Sequence, residues 1–291
     1  MMRIRKTQNS RIIIRTEIIL FLIGLAASGL LWYATQPWGV GVGYDSFYYI
    51  TSARNLISGQ GLGTIDVDGS IIPLTKFPPL YPLILAALSF SSGLGIIDVA
   101  RLINIILYGT NVFLVGWLIY YFTKSYIAGT LGSVLFLSSQ ILMRIHLMVM
   151  TEPIFITQVL LTMFSFSLFV FQKKKRYLIL AAVLSILGFL TRYIGLTLIG
   201  FGAFGLLLSG KQPFKNKLKH TTFYILICVL VGVPWMIRNW VISGSPTDRK
   251  LTIHLPQVEK IVSGVEDIST WLISSKVTTN IRILFFLYVH N

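Results

Sequence analysis

Acidic residues are scarce in this chain. Ten Asp and Glu stand against 25 Lys and Arg in 291 residues, and charged residues make up only 12%. A soluble domain carries about a quarter charged residues, so an ordinary water-facing globular fold is excluded. Cysteine is nearly absent: the single Cys228 lies inside an apolar run, leaving no disulfide framework and no cysteine-based metal site. Heptads, internal repeats and low-complexity tracts are missing. The glycines of "GQGLG" at 59–63 lack the strand–helix surroundings of a dinucleotide fingerprint. What is abundant is apolar, with 54% hydrophobic residues and a mean hydropathy of +0.75. Several runs approach the ~20 residues that span a bilayer as helix, and helices satisfy their own backbone in lipid. The composition describes an all-α, polytopic integral membrane protein.

The net charge of +15 invites a nucleic-acid partner, but the placement of the cations excludes it. They cluster at Arg3, Arg5, Lys6, Arg11 and Arg15, at "KKKR" 173–176, and at Lys211, Lys215, Lys217 and Lys219. These are short segments flanking apolar runs, the signature of cytoplasmic loops facing membrane lipids. The basic head before the first run resembles a signal peptide. More apolar runs follow, however, and Trp32, Tyr33 and Trp38 form an interfacial belt at its far end. Residues 17–36 are therefore expected to be a retained first helix, with 1–16 a cytoplasmic tail.

The apolar runs are 17–36, 79–92, 100–122, 126–143, 151–171, 177–191, 193–209 and 221–240, with a ninth from near 281 to Asn291. Both the N-terminus and "KKKR" should be cytoplasmic, so an even number of crossings separates them and one of the five intervening runs does not cross. The weakest is 79–92, crowded by Pro78, Pro79 and Pro82. It is expected to lie as a juxtamembrane or re-entrant helix; the alternative is that one of the short runs within 177–209 fails to cross. Seven helices then cross, residues 37–99 form one long outer loop, and 246–291 form a further outer loop and the start of another helix.

Four features gather on the outer face. Asp45 precedes "SFYYITSARNLISG", in which Phe47, Ile50, Ala53 and Ile57 recur at helical spacing. That pattern predicts an interfacial amphipathic helix ended by Gly59, with Asp45 either its N-cap or a proton acceptor. Glu152, in "MTEP", opens the fourth crossing helix beside Pro153. Arg192, in "LTRYIGL", falls outside although arginines favour the cytoplasm; a carboxylate or phosphate partner would explain it. Arg238, in "VPWMIRNW", is another outer arginine, where Pro234 bends or ends the helix and Trp235 and Trp240 mark the interface. Arg101, Arg144 and His146 fall on the same edge, and His146 is expected to be structural. "TIDVDGSIIP" predicts a hairpin turning at Asp68-Gly69, so Asp66 and Asp68 are expected to be exposed turn residues rather than cation ligands. Arginine forks match phosphate oxygens, and a neighbouring carboxylate can deprotonate a hydroxyl. A lipid-phosphate donor and a hydroxyl or amine acceptor suit such a site.

"DSFYYITSARNLISGQG", "FPPLYPLILA", "RLINIILYG", "MTEP", "LTRYIGL" and "VPWMIRNW" occur in this order. From about residue 17 to 245 the set resembles the GT-C superfamily of membrane glycosyltransferases. The resemblance is greatest to the bacterial branch akin to protein O-mannosyltransferases and the lipid A aminoarabinose transferase. It implies a seven-helix module with juxtamembrane helices in the first outer loop. It also implies a polyprenyl-phosphate sugar donor and a lipid, glycan or protein acceptor, with inverting transfer on the non-cytoplasmic side of a bacterial-type plasma membrane. The family's first-loop catalytic acid maps onto Asp45; where many relatives have a second acid, this chain has Ser46. The acid of the second outer loop matches Glu152, which with Asp45 is expected to be catalytic. Arg192 and Arg238 match basic motif positions, and we assign them, with Arg101, to the donor phosphate. Tyr48, Tyr49, Asn55 and Tyr81 are assigned to the acceptor and sugar pocket.

Relatives usually continue through more helices, so the chain is expected to be a C-terminally truncated member. No ligand spacing is diagnostic of a metal; clustered carboxylates are compatible with a divalent cation. The alternative readings are a transporter or flippase and a non-catalytic membrane subunit. Transporters tend to carry ionisable groups at mid-membrane, whereas 100–122 and 151–171 hold only the uncharged Asn104, Asn111 and Gln158 there.

Overall fold

The computed structural model describes residues 2–208, 213–249, 260, 263 and 264, with side chains from residue 14 onward. The chain divides into two units, 1–249 and 250–291; the further helix expected near 281 lies outside the described residues.

The first unit is helical apart from one small hairpin. Helix α1 (Met2–Ala34) begins within the basic tail, and its apolar part is Ile14–Ala34. The first loop contributes α2 (Tyr44–Ile57), strands β1 (Gly63–Ile65) and β2 (Ile71–Pro73), and α3 (Leu80–Ser92). Then follow α4 (Ile96–Thr123), α5 (Tyr126–Ser138), α6 (Gln140–His146), α7 (Glu152–Gln172), α8 (Lys175–Thr191), a 3-10 turn (Tyr193–Gly195), α9 (Leu196–Leu208) and α10 (Phe214–Ser243). Among the described residues four helices are long and apolar enough to cross a membrane: α1, α4, α7 and α10. The bent pair α5 and α6 raises that number to five.

The predicted hairpin is present, with β1 and β2 antiparallel and Gly69 at φ +84° in the turn. The proline-rich run becomes α3, 13 residues long, with Pro79 as its N-cap and Gly93 ending it at φ +71°. One expectation needs correction. The run 126–143 is not one helix: α5 and α6 meet at 63°. Ser139 is extended there, and its hydroxyl accepts from the Leu142 N–H, starting a new helix. Of the two alternatives expected at Pro234, bending or ending the helix, the second is excluded, since α10 runs through it to Ser243.

Small residues let the helices close on one another without a large hydrophobic drive. Gly24 of α1 faces Gly109 of α4 so closely that a Cβ on either would meet the other's carbonyl oxygen. Beside them the Ser28 hydroxyl donates to the Ile105 carbonyl at 2.9 Å. One buried cluster joins α2, α3, the start of α4 and Val149, through Tyr49, Ala53, Phe77, Tyr81 and Leu85. A second joins α7, α8, α9 and α10 around Phe169, Leu178, Ala182 and Tyr224. The first loop is thus packed onto the bundle and does not float above it.

Candidate active site

Helix α2 begins with Gly43 as N-cap, extended at φ −109°, ψ −173°. Its N–H donates to the Ser46 hydroxyl at 2.9 Å, closing the first turn. Asp45 therefore does not cap the helix. It stands half-buried in the first turn, and its carboxylate has no hydrogen bond or ion pair among the described residues. Ser46, at the position of a relative's second acid, is fully buried in this structural role. The apolar positions of α2 divide into two groups. Ile50 and Ala53 are buried, but Phe47 and Ile57 are exposed, because α2 packs sideways on Phe77 and Tyr81 through Tyr49.

Backbone pairing carries Asp45 to the start of α7. The Gly41 N–H donates to the Leu147 carbonyl at 2.7 Å, and the Val149 N–H donates to the Gly41 carbonyl at 2.9 Å. The loop between α6 and α7 is held from below by the amides of α4. Asn104 donates to the carbonyls of His146 (2.9 Å) and Met148 (2.6 Å). Asn111 donates to the Pro153 carbonyl at 2.9 Å and meets His146 Nε2 at 3.1 Å, while Thr157 donates to the Asn111 oxygen at 2.7 Å. With Asn111 donating, Nε2 accepts and Nδ1–H points at the Leu142 carbonyl, 2.6 Å away. His146 is a buried neutral linker here, as its lone position in the sequence led us to expect.

Arg192 leaves the end of α8 in an extended conformation and pairs with Glu152, Nη1 to Oε1 at 2.5 Å. The same Nη1 donates to the Thr151 hydroxyl at 2.9 Å. Both members of the pair keep roughly 30% of their side-chain surface exposed, so the pair is not sealed within the protein. Tyr49 completes the cluster. Burial pushes its phenol up to about 12, against the lowering effect of a hydrogen bond from Thr151, while Asp45 and Glu152 raise it and Arg192 lowers it. Tyr49 thus lies near Asp45, Glu152 and Arg192 alike. Beneath it Tyr81 is buried with its hydroxyl unpartnered among the described residues, and desolvation raises its pKa.

The remaining predicted residues are spread around this centre. Tyr48 lies beside Asp45, its hydroxyl 3.0 Å from that of Tyr44. Asn55 is buried and donates to the Gly63 carbonyl at 3.0 Å, tying α2 to the hairpin. Arg238 donates from Nη1 to the Leu74 carbonyl at 2.8 Å and to Asn239, with its guanidinium over the Trp235 ring. Arg101 donates to the Thr35 hydroxyl at 2.9 Å and lies over Trp32. Arg238 and Arg101 thus hold the first loop and the end of α1.

Sequence reasoning missed Lys76. Its ammonium lies 5.2 Å from the Tyr44 ring centre and 5.6 Å from that of Tyr48, and no carboxylate pairs with it among the described residues. The hydrogen bond from Tyr48, and then Lys76, lower the Tyr44 pKa; that same bond pushes Tyr48 up to about 12. A second knot was also missed. The Tyr193 hydroxyl donates to the Thr75 carbonyl at 2.9 Å and accepts from Trp235 and Asn239, both at 3.1 Å. This knot joins two of the quoted motifs, "LTRYIGL" and "VPWMIRNW", to Thr75 of the first loop, and the motifs' content of Tyr, Trp and Asn was the available signal. Among the described residues no three His, Cys, Asp or Glu side chains come together as a metal site.

No curated protein and no solved structure matches the chain. Residues 18–242, covering the module from α1 through α10, match the family described as dolichyl-phosphate-mannose-protein mannosyltransferase. With this match over most of its length, the chain belongs to that family of membrane glycosyltransferases, whose members use polyprenyl-phosphate-sugar donors.

Proposed function

We propose that the protein transfers a sugar, with inversion, from a polyprenyl phosphate to a hydroxyl or amine on a lipid, glycan or protein. The reaction takes place at the non-cytoplasmic face of a bacterial-type plasma membrane, with Asp45 as general base. The observation that carries this reading is the state of Asp45. It is a half-buried carboxylate with no partner, in a cluster where Glu152 already neutralises Arg192. An unpaired carboxylate at an apolar interface is costly, and a proton-accepting task accounts for it.

The acceptor O–H or N–H gives its proton to Asp45 as its lone pair attacks the anomeric carbon. The bond from that carbon to the phosphate oxygen breaks on the opposite face, and the phosphate leaves with the electron pair. Arg192, oriented by Glu152, offers its remaining N–H groups to the phosphate, which a planar fork matches bidentately. Lys76 adds a point charge on the same side. Arg101 and Arg238 act on the phosphate at one remove, through their field and through the loop they hold. Tyr48 and Tyr49 flank the acceptor path, above Tyr81 and Asn55.

Seven crossings belong to this reading, with α5 and α6 forming one bent span and α8 and α9 two short ones. Residues 1–16 and the lysine-rich connections are then cytoplasmic, and residues 37–99 outside. The experiment for the chemistry is transfer in proteoliposomes from a panel of polyprenyl-phosphate sugars. Transfer by wild type from at least one donor supports the reading; Asp45→Asn turning over at the wild-type rate sinks it. For the topology, cysteines placed at Ser91 and Asp66 should both react with an impermeant thiol reagent from outside. Labelling of position 91 only from the cytoplasm overturns the count.

A further inference from the structure

At the end of the bundle remote from Asp45, a cavity of about 500 Å³ opens between the starts of α8 and α10. Lys175 of α8 and Lys215 and Lys219 of α10 stand around it. Its apolar wall is made by Leu178, Leu218, Phe223 and Leu226. None of the three lysines has an ion pair or hydrogen bond among the described residues. Neither helix has an acid in its first turn. Cations in a first turn face the positive end of the helix dipole and repel it, so the two helix starts and three lysines sum to an uncompensated positive field.

We infer that this cleft seats an anionic glycerophospholipid, its phosphate among the lysines and an acyl chain along the apolar wall. Charge complementarity selects the headgroup, since basic pockets between membrane helices hold anionic lipid heads. The wall selects a lipid over a free phosphate ion: Phe223 and Leu226 are 39% and 51% exposed, which favours contact with hydrocarbon over water. The cleft is separate from the catalytic cluster. Lys175 and Arg192 flank the two ends of α8, 17 residues apart, or about 25 Å at 1.5 Å per residue.

The test is native mass spectrometry of the full chain released from mixed phosphatidylglycerol and phosphatidylcholine. Wild type should retain phosphatidylglycerol preferentially, at one molecule per chain. The triple variant Lys175→Gln, Lys215→Gln, Lys219→Gln should lower that preference by roughly tenfold. Thr222 lines the cleft and is exposed, so Thr222→Trp fills the cavity without changing charge or core, and should displace the lipid to a similar degree. Equal retention of both lipids by wild type overturns the proposal. So does loss in the triple variant with full retention in Thr222→Trp, which would indicate diffuse attraction to a basic face. Displacement by inorganic phosphate, or preference for polyprenyl phosphate at equal concentration, also overturns it, assigning the cleft to a free ion or to donor lipid. Should the triple variant fail to fold, Thr222→Trp still decides.

Discussion

The two ends of the helix bundle handle positive charge differently. At the first-loop end, Arg101, Arg192 and Arg238 each meet oxygen acceptors, and two of the three also lie over tryptophan rings. At the other end, Lys175, Lys215 and Lys219 meet none among the described residues. A guanidinium has five donors in a fixed plane and can hold several carbonyls in one geometry, whereas an ammonium is a mobile point charge. Arginine builds shape at one end; lysine supplies field at the other. Acids follow the same division, with Asp45 and Glu152 at the shaped end and no acid in the first turn of α8 or α10.

The largest expected effect tests whether chemistry belongs to the shaped end alone. Asp45→Asn keeps the size of the side chain and leaves the Gly43–Ser46 cap untouched, so folding and donor binding should persist. Turnover should fall by ~10²–10⁴-fold, the range of general-base catalysis. Asp45→Glu moves the oxygen by about an ångström and should cost ~10²-fold. At the opposite end, Arg176→Gln, whose side chain meets only Tyr177 among the described residues, should leave turnover within about twofold, as expected of an exposed substitution. Equal losses at both ends would dissolve the contrast.

Next comes the ion pair. Arg192→Ala should weaken donor-lipid binding by roughly 10- to 150-fold, corresponding to ~1.5–3 kcal/mol for a charge-assisted contact. Arg192→Lys should rescue only part of this, because it lacks the fork. Glu152→Gln should cost less than Arg192→Ala and add little when combined with it, since the role proposed for Glu152 is to hold Arg192. Donor affinities for the two single variants and the double variant supply the cycle; additive losses would give Glu152 a role independent of Arg192.

Much of the scaffold was legible because its causes are local. Apolar runs gave the helices, the Asp68-Gly69 pair gave the hairpin, and three prolines marked α3 as a short separate element. The Ser139 break was not legible: it depends on a serine turning its hydroxyl to a new helix start inside a continuous apolar run. For the site, Asp45, Glu152 and Arg192 were singled out from their charge in an acid-poor chain. Their mutual arrangement was not, because Glu152 and Arg192 are 40 positions apart and meet only when α7 and α8 pack. Lys76 was overlooked for a similar reason: a single lysine in a loop reads as solvated until Tyr44 and Tyr48 fold beneath it.

The polar support under the shaped end should cost less than its charges do. Asn111→Leu strips the partner from the Pro153 carbonyl, from His146 and from Thr157 together. Leaving buried groups unsatisfied costs ~1–3 kcal/mol each, with part recovered by relaxation, so thermal unfolding in detergent should shift down by several degrees. Turnover should fall with it as the 147–151 loop loosens. An unshifted melting temperature would show that Asn111 does not support the site.

The smallest effect concerns two buried phenols, Tyr49 in the cluster and Tyr81 beneath it. Burial holds Tyr49 up to about 12 and raises Tyr81 as well, against ~10 in an unfolded chain. The folded state therefore resists losing these protons. Their contribution to stability is fully present below pH ~10 and is lost as pH rises from there through about 12, because only the unfolded chain gains by ionising. Melting temperature should fall between pH ~10 and about 12, and Tyr49→Phe should flatten that fall. At neutral pH the two Phe variants should differ. Tyr49→Phe loses its contact with Thr151 and should cost ~0.5–1.5 kcal/mol. Tyr81→Phe removes a hydroxyl with no partner and should be neutral or slightly stabilising, since no hydrogen bond is broken and a buried polar group is removed. If Tyr81→Phe instead destabilises the free protein, or lowers donor affinity, that hydroxyl is making a contact with water or donor, and Tyr81 joins the functional cluster above it.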